Sequence, residues 1–158
     1  MNKAKQKSLN IFIDGAARGN PGPAGIGVVI TDSSNNLIKE LCKYIGEATN
    51  NVAEYSALIF GMEEVIALGA NELTINTDSE LIAKQLSGEY KVKSDKLKKL
   101  YAEVIKLLDS FQEVNVNNIP REKNKDADKL ANKAIDDLKK KRTGKSFVLK
   151  SKKTSLFY

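Results

Sequence analysis

Short apolar runs separated by polar turns mark the first third of the chain. The apolar run 9–14 predicts a strand that ends in Asp14. Segments 26–31 and 37–45 predict two further strands, and the polar segment 32–36 lies between them. The glycine-rich connection before residue 26 contains the turn-forming sequence Asn20-Pro21-Gly22-Pro23. Connections this short predict an antiparallel meander of three strands.

The spacing of apolar residues then changes to the helical period. Segment 52–66 predicts a helix, with capping side chains at Thr49-Asn50-Asn51 and a stop at Gly69. Alternation over 72–77 and 114–119 predicts two more strands, and helical spacing recurs at 79–86, 97–108 and 124–139. This order predicts an α/β fold, in which a five-stranded mixed sheet of three antiparallel strands plus parallel strands is flanked by helices.

Composition excludes several kinds of chemistry. The 158 residues correspond to one domain, and none of them is histidine. Histidine general bases, Ser-His and Cys-His nucleophiles and imidazole metal ligands are therefore excluded. Cys42 is the only cysteine, so neither an intrachain disulfide nor a cysteine zinc site can form. Oxygen ligands remain, and they favour hard cations such as Mg²⁺ or Mn²⁺.

Charge is unevenly distributed along the chain. The net charge is +6, but segment 139–158 carries eight basic residues and no acidic one. We therefore predict a basic N-terminal extension (1–8), a folded domain (9–138) and a basic C-terminal tail (139–158). Basic tails favour nucleic-acid partners, although a solvated tail that aids solubility has the same composition. No segment has the length and apolarity of a membrane span or signal peptide, which predicts a cytoplasmic location.

Four carboxylates occupy positions at which predicted elements begin or end. Asp14 and Asp78 each follow a strand, while Glu54 and Asp128 fall in the first turns of helices. Functional groups in α/β sheets collect where strands end, so the four side chains could meet at one site. Turn formation and the helix dipole are alternative reasons for these acids. Acids this close repel unless a cation binds, and two divalent metals would suit phosphoryl displacement.

Four segments resemble, in order, the signatures of type 1 ribonuclease H, and the element order is similar to that of the ribonuclease H fold. The resemblance spans 9–138, and its segments are DGAARGNPGPAG (14–25), TNNVAE (49–54), TDS (77–79) and NKDADKLA (124–131).

The resemblance implies an endonuclease that hydrolyses the RNA strand of RNA–DNA hybrids, leaving 5′-phosphate and 3′-hydroxyl ends. Its catalytic residues and metal ligands would be Asp14, Glu54, Asp78 and Asp128, holding two Mg²⁺ or Mn²⁺ ions. The matching substrate-contact positions are Gly15, Asn20, Thr49, Asn50, Asn51, Ser79 and Arg121. Amides can read a 2′-hydroxyl, although Asn20 and Asn51 would also suit capping and turns.

The chain departs from the family pattern in three places, and the first two departures resemble a subgroup that lacks the active-site-loop histidine and the basic protrusion. The sequence IPREK (119–123) stands where many members carry a histidine, and Arg121 is the nearest candidate for its role. A guanidinium can hold a phosphate but cannot shuttle protons at neutral pH. The basic, tryptophan-containing protrusion is missing; nearby lysines could partly replace it or form a solvated helix face. Glu80 stands where a neutral amide is common.

Two further expectations concern partners. Segment 153–158 resembles the short peptide that binds the replication sliding clamp, with Lys153 in place of the usual Gln. We otherwise expect a monomer. Two alternative functions remain open at this stage, since one fold carries several activities. These are a catalytically weak or silent nucleic-acid-binding module and a structure-selective DNA nuclease of the same fold.

Overall fold

Strands and helices follow one another in the predicted order. The computed structural model describes residues 6–143, with side chains described for 6–138. The strands are β1 (Ser8–Ala17), β2 (Gly22–Asp32), β3 (Leu37–Ala48), β4 (Glu72–Thr77) and β5 (Glu113–Asn118). The helices are α1 (Asn50–Ala67), α2 (Glu80–Leu86), α3 (Asp95–Leu108) and α4 (Lys125–Thr143), with a 3₁₀ turn at Arg121–Lys123.

The five strands form one mixed sheet, as predicted. Their spatial order is β3-β2-β1-β4-β5. The β1–β2 and β2–β3 pairs are antiparallel, whereas β4 runs parallel to both β1 and β5. The meander and the parallel strands therefore share β1 as the central strand, and the predicted five-stranded mixed sheet is confirmed.

Strand β1 is longer than the sequence pattern predicts. Its pairing with β4 ends at Ile13 opposite Thr77, but its pairing with β2 continues to Ala17 opposite Ala24. Asp14 therefore lies inside β1, at the position where the strand loses its parallel neighbour. The glycines and prolines of 15–23 predict a turn, but β2 supplies the hydrogen bonds that keep most of this segment extended.

Helices α1 and α3 cover one face of the sheet. Ile11, Ile13 and Val28 project from the strands into a core that includes Leu58 and Met62 of α1, and all five are essentially inaccessible to solvent. This alternation along β1 is typical of a strand with one apolar face. The core fixes α1 across the central strands, and α1 carries Glu54.

Helix α4 packs on the opposite face, where β2 has two glycines instead of apolar side chains. A Cβ atom at Gly25 would overlap the carbonyl oxygen of Ala131, and one at Gly27 would overlap the carbonyl oxygen of Ala127. The helix backbone therefore lies directly against the strand backbone. This close approach fixes the height of α4 above the sheet and hence the position of Asp128.

Some predictions fall at or beyond the ends of the described residues. Helix α4 continues to Thr143, past the predicted domain end at 138. Segments 1–5 and 144–158, including the clamp-like peptide 153–158, lie outside the described residues. Within 6–143, no helix is long and apolar enough to cross a membrane. The cytoplasmic location stays a prediction.

We expect Gly27→Ala to destabilise the domain, because the added methyl group must push α4 away from β2. Overpacking of this kind costs roughly 1–3 kcal/mol. Gly69→Ala is the control: a Cβ there meets no atom within 4 Å, so its whole loss, about 1–2 kcal/mol, comes from the strain of an alanine held at a φ of 87°. Urea unfolding should show the larger loss for Gly27→Ala. An equal or smaller loss would contradict a tight α4–β2 contact.

Candidate active site

Three carboxylates converge at one edge of the sheet. Asp14, Glu54 and Asp78 each offer an oxygen atom, and these atoms lie within 4.8 Å of one another. Asp14 is nearly buried, at 8% exposure, and the other two are half-buried. The fold therefore brings these three acids together, as predicted.

The strand register brings Asp14 and Asp78 together. Ile13 pairs with Thr77, so the next residue of each chain segment lies at the same edge of the sheet. The Asn124 side chain also contacts this edge: its Nδ2 atom donates to the carbonyl oxygen of Ile13 at 2.8 Å and to Asp78 Oδ2 at 3.2 Å. The sequence analysis assigned no role to Asn124, although this residue opens the fourth of the family-like segments (124–131).

Glu54 reaches the same edge because α1 approaches β1 closely. A Cβ atom at Gly15 would overlap the backbone of Ala53 and Glu54. Since α1 begins at Asn50, Glu54 lies in the second helical turn rather than the predicted first, and no acid occupies the first turn. The helix dipole therefore does not account for Glu54, because that effect is confined to the first turn.

Asp128 approaches the site from the other side. It lies in the first turn of α4, is exposed to solvent, and lines the same cavity of about 280 Å³ as the other three carboxylates. Its carboxylate is close to that of Asp14 and can accept a hydrogen bond from it when Asp14 is protonated. Asp128 is nonetheless outside the group of three whose oxygens lie within 4.8 Å. The four predicted acids thus line one cavity, but they are buried to different extents.

Burial and nearby negative charge raise the pKa of two of these acids, Asp14 and Glu54. Burial first, then the nearby Asp78 and the hydrogen bond with Asp128, raise the pKa of Asp14 to about 8. Burial and Asp78 raise the pKa of Glu54 to about 7, although the Ser79 hydroxyl and the Arg121 guanidinium act in the opposite direction. A divalent cation would offset this repulsion, and an all-carboxylate donor set suits a hard cation.

Of the seven predicted substrate-contact residues, three line the cavity and four lie elsewhere around it. Gly15, Asn50 and Arg121 line the cavity with the carboxylates. The side chains of Thr49 and Ser79 cap α1 and α2, by accepting from Val52 N and Ile82 N. Asn51 is half-buried in the first turn of α1.

Asn20 ties the loop after β1 to the start of α1. Its Oδ1 atom accepts from the backbone N–H of Asn50 at 3.0 Å. In return, the Asn50 side chain accepts from the backbone N–H of Ala17 at 3.0 Å. The alternative structural role that the sequence analysis gave to Asn20 is therefore present, and so is the predicted capping by Thr49. The capping of α2 by Ser79 was not predicted.

Comparisons with known proteins agree with this arrangement. Residues 12–134 match a family model described as reverse transcriptase-like. The chain is 46% identical over 127 residues to the bifunctional protein Rv2228c of Mycobacterium tuberculosis. That alignment covers 80% of this chain but only 35% of the relative, so the chain spans about a third of the length of the mycobacterial relatives it matches.

Two solved structures share the fold at substantial identity. The RNase H1 of Halobacterium salinarum NRC-1 has a TM-score of 0.81 at 38% identity, over 82% of this chain and 98% of that one. LC11-RNase H1, solved in complex with an RNA/DNA hybrid, has a TM-score of 0.79 at 47% identity, over 82% and 98%.

We expect the stability of the metal-free protein to fall as pH rises from about 5 to 8. Folding raises the pKa of Asp14 and Glu54, so the folded state binds their protons more tightly than the unfolded state does. Their contribution is complete below about pH 4 and is lost as pH passes through about 7 to 8. Asp14→Asn should reduce this fall by at least about 1 kcal/mol.

The measurement is urea unfolding at pH 5 and pH 8 in the presence of a chelator. The control is Asp109→Asn, which removes an exposed acid at the C-terminal cap of α3. It should keep the wild-type pH dependence. If Asp14→Asn also kept it, Asp14 would not be the buried weak acid that its surroundings indicate.

Proposed function

Because the chain belongs to the type 1 ribonuclease H family, we propose that it is an endonuclease that hydrolyses the RNA strand of RNA–DNA hybrids. The products would carry 5′-phosphate and 3′-hydroxyl ends. The observation that carries the proposal is the convergence of Asp14, Glu54 and Asp78 at one sheet edge, with Asp128 lining the same cavity. A silent binding module would have no need to pack acids whose ionisation is this unfavourable.

The four carboxylates would hold two divalent cations, Mg²⁺ or Mn²⁺. When bound, such ions activate water for in-line attack on a phosphate and stabilise the leaving oxygen. The chain's own part is to present ionised oxygens. Asp14 and Glu54 hold protons most tightly and must release them for cation binding. Asn124 donates to Oδ2 of Asp78, so Oδ1 of that carboxylate would be available to a cation.

Substrate recognition would use the rim of the same cavity. Gly15 and Asn50 line it beside the carboxylates. Gly15 lets α1 lie against β1 and so bring Asn50 to this rim. Amide groups at Asn50 and Asn51 can pair with a 2′-hydroxyl, which both donates and accepts. Asn20, Thr49 and Ser79 would support this rim, since their side chains hold the ends of α1 and α2.

Arg121 would hold a phosphate of the substrate. It lies in the 3₁₀ turn before α4, lines the cavity and is close enough to Glu54 to lower the pKa of that carboxyl. Arginine forms two-pronged hydrogen bonds with phosphate oxygens, but it stays charged at neutral pH. Its role would therefore be binding rather than proton transfer.

The proposal is tested by incubating matched labelled duplexes with the protein: RNA–DNA hybrid, double-stranded RNA and double-stranded DNA, each with Mg²⁺ and with Mn²⁺. We expect cleavage only of the RNA strand of the hybrid. Asp78→Asn should lower the rate more than about a hundredfold, because cation-assisted charge stabilisation is worth several kcal/mol. Asp109→Asn is the matched control and should cleave like the wild type.

Other outcomes would point elsewhere. Cleavage of double-stranded DNA would indicate a DNA nuclease of the same fold. Hybrid binding without cleavage under either metal, unchanged by Asp78→Asn, would indicate a silent binding module.

We expect Arg121→Gln to weaken binding of the hybrid rather than chemistry. Loss of one charged phosphate contact should raise KM about threefold to tenfold and leave kcat nearly unchanged. The measurement is steady-state cleavage at low and moderate salt, where the difference in KM should shrink as salt rises. Arg121→Lys should lie between the two. A fall in kcat with an unchanged KM would assign Arg121 to the chemical step or to product release instead.

A further inference from the structure

A chain of hydrogen bonds leads from the loop after β1 to Asp128. Arg18 donates from Nη1 to Asp136 Oδ1 at 2.6 Å and from Nη2 to Asn132 Oδ1 at 3.1 Å. Asn132 in turn donates from Nδ2 to Asp128 Oδ1 at 3.2 Å and to the Asp128 carbonyl oxygen at 3.0 Å. Arg18 therefore spans successive turns of α4 and is linked to Asp128 through one amide.

The partners of Asn132 leave its amide only one orientation. A guanidinium can only donate hydrogen bonds, so the side facing Arg18 must be the oxygen. An ionised carboxylate can only accept them, so the side facing Asp128 must be the NH₂ group. With both partners in place, a rotated amide would lose both hydrogen bonds. Arg18 thus holds Asn132 in the orientation that donates to Asp128.

Asp128 needs such support more than the other three acids do. Asp14 is nearly buried and Glu54 and Asp78 are half-buried, whereas Asp128 is exposed on the first turn of α4. An exposed side chain samples several rotamers unless contacts restrict it. Asn132, one helical turn further along, is in place to restrict the carboxylate, while Asp14 contacts it from inside the site.

The same loop also holds the helix that carries Glu54. Arg18 of this loop binds Asp136 on α4. Two residues further along the loop, Asn20 accepts a hydrogen bond from the backbone N–H of Asn50 at the start of α1. Residues 18–20 are therefore joined to both helices that bring carboxylates to the sheet edge. A displacement of this loop would act on the two sides of the site together.

We propose that Asn132 and Arg18 are positioning residues, which hold the Asp128 carboxylate toward the cavity for cation binding. The proposal rests on the proposed function for its catalytic readout, but its cation-binding readout does not depend on cleavage. Neither residue would touch the substrate. Asn132 acts through Asp128, and Arg18 acts through Asn132.

The first test measures cation binding without nucleic acid. Mn²⁺ is titrated into the wild type, Asn132→Ala and Arg18→Met by calorimetry. Loss of an outer partner of a ligand commonly costs tenfold or more in affinity, and we expect about threefold to tenfold for the exposed Asp128 in Asn132→Ala. Arg18→Met should shift the affinity in the same direction by a smaller factor. The control is Asp137→Asn, which removes the Lys133–Asp137 ion pair of 2.7 Å on the same helix.

The second test measures cleavage of the hybrid with Mn²⁺. Asn132→Ala should lower kcat about threefold to tenfold and leave KM within about twofold, because the substrate contacts are unchanged. In an Asp128→Asn background, adding Asn132→Ala should cause no further loss of affinity or kcat. A purely structural role would instead lower the melting temperature in chelator and reduce activity equally in both backgrounds.

The outcomes separate the two proposals. Wild-type protein that binds Mn²⁺ but cuts no hybrid would overturn the proposed function, and the calorimetry would still decide the positioning role. Wild-type cleavage with Mn²⁺ affinity and kcat both unchanged in Asn132→Ala would overturn the positioning role alone. An equal loss in Asp137→Asn would also overturn it, since the effect would then belong to α4 as a whole.

Discussion

The organisation of this protein depends on the cost of gathering carboxylates at a partly buried edge of the sheet. Asp14 is nearly buried and faces Glu54 and Asp78, so its ionised form is unfavourable and its pKa rises to about 8. A folded domain does not gain stability from such a cluster, because each acid must be desolvated beside another of the same charge. The arrangement is understandable as a site that a divalent cation completes.

Close backbone contacts make that gathering possible. Gly15 allows α1 to lie against β1, and Gly25 and Gly27 allow α4 to lie against β2 on the opposite face of the sheet. Side chains at these positions would hold the helices away from the strands. Glu54 and Asp128 would then be displaced from the sheet edge at which Asp14 and Asp78 lie. Packing on both faces of the sheet is therefore directly coupled to the geometry of the site.

Polar side chains then contact three of the four acids individually. Asn124 donates to Asp78, and the Ser79 hydroxyl interacts with Glu54. Asn132, oriented by Arg18, donates to Asp128. Asn132 lies one helical turn from its acid, whereas Asn124 and Ser79 lie at the ends of other elements and contact their acids across the site. The four acids thus line a common cavity with different local partners, and they range from the nearly buried Asp14 to the exposed Asp128.

The sequence by itself determined the order of strands and helices, since apolar periodicity and short turns depend on local residues. It also singled out the four acids that line the cavity, because their ordered motifs resemble one family. The tertiary structure alone decided the length of β1, which depends on hydrogen bonds from β2, and the place of Glu54 one turn deeper in α1. It likewise decided the contacts of Asn124 and of Arg18 with Asn132, residues far apart in sequence from their partners. Periodicity reports which face of an element is buried, but not which residues of two elements meet, since that depends on packing across the sheet.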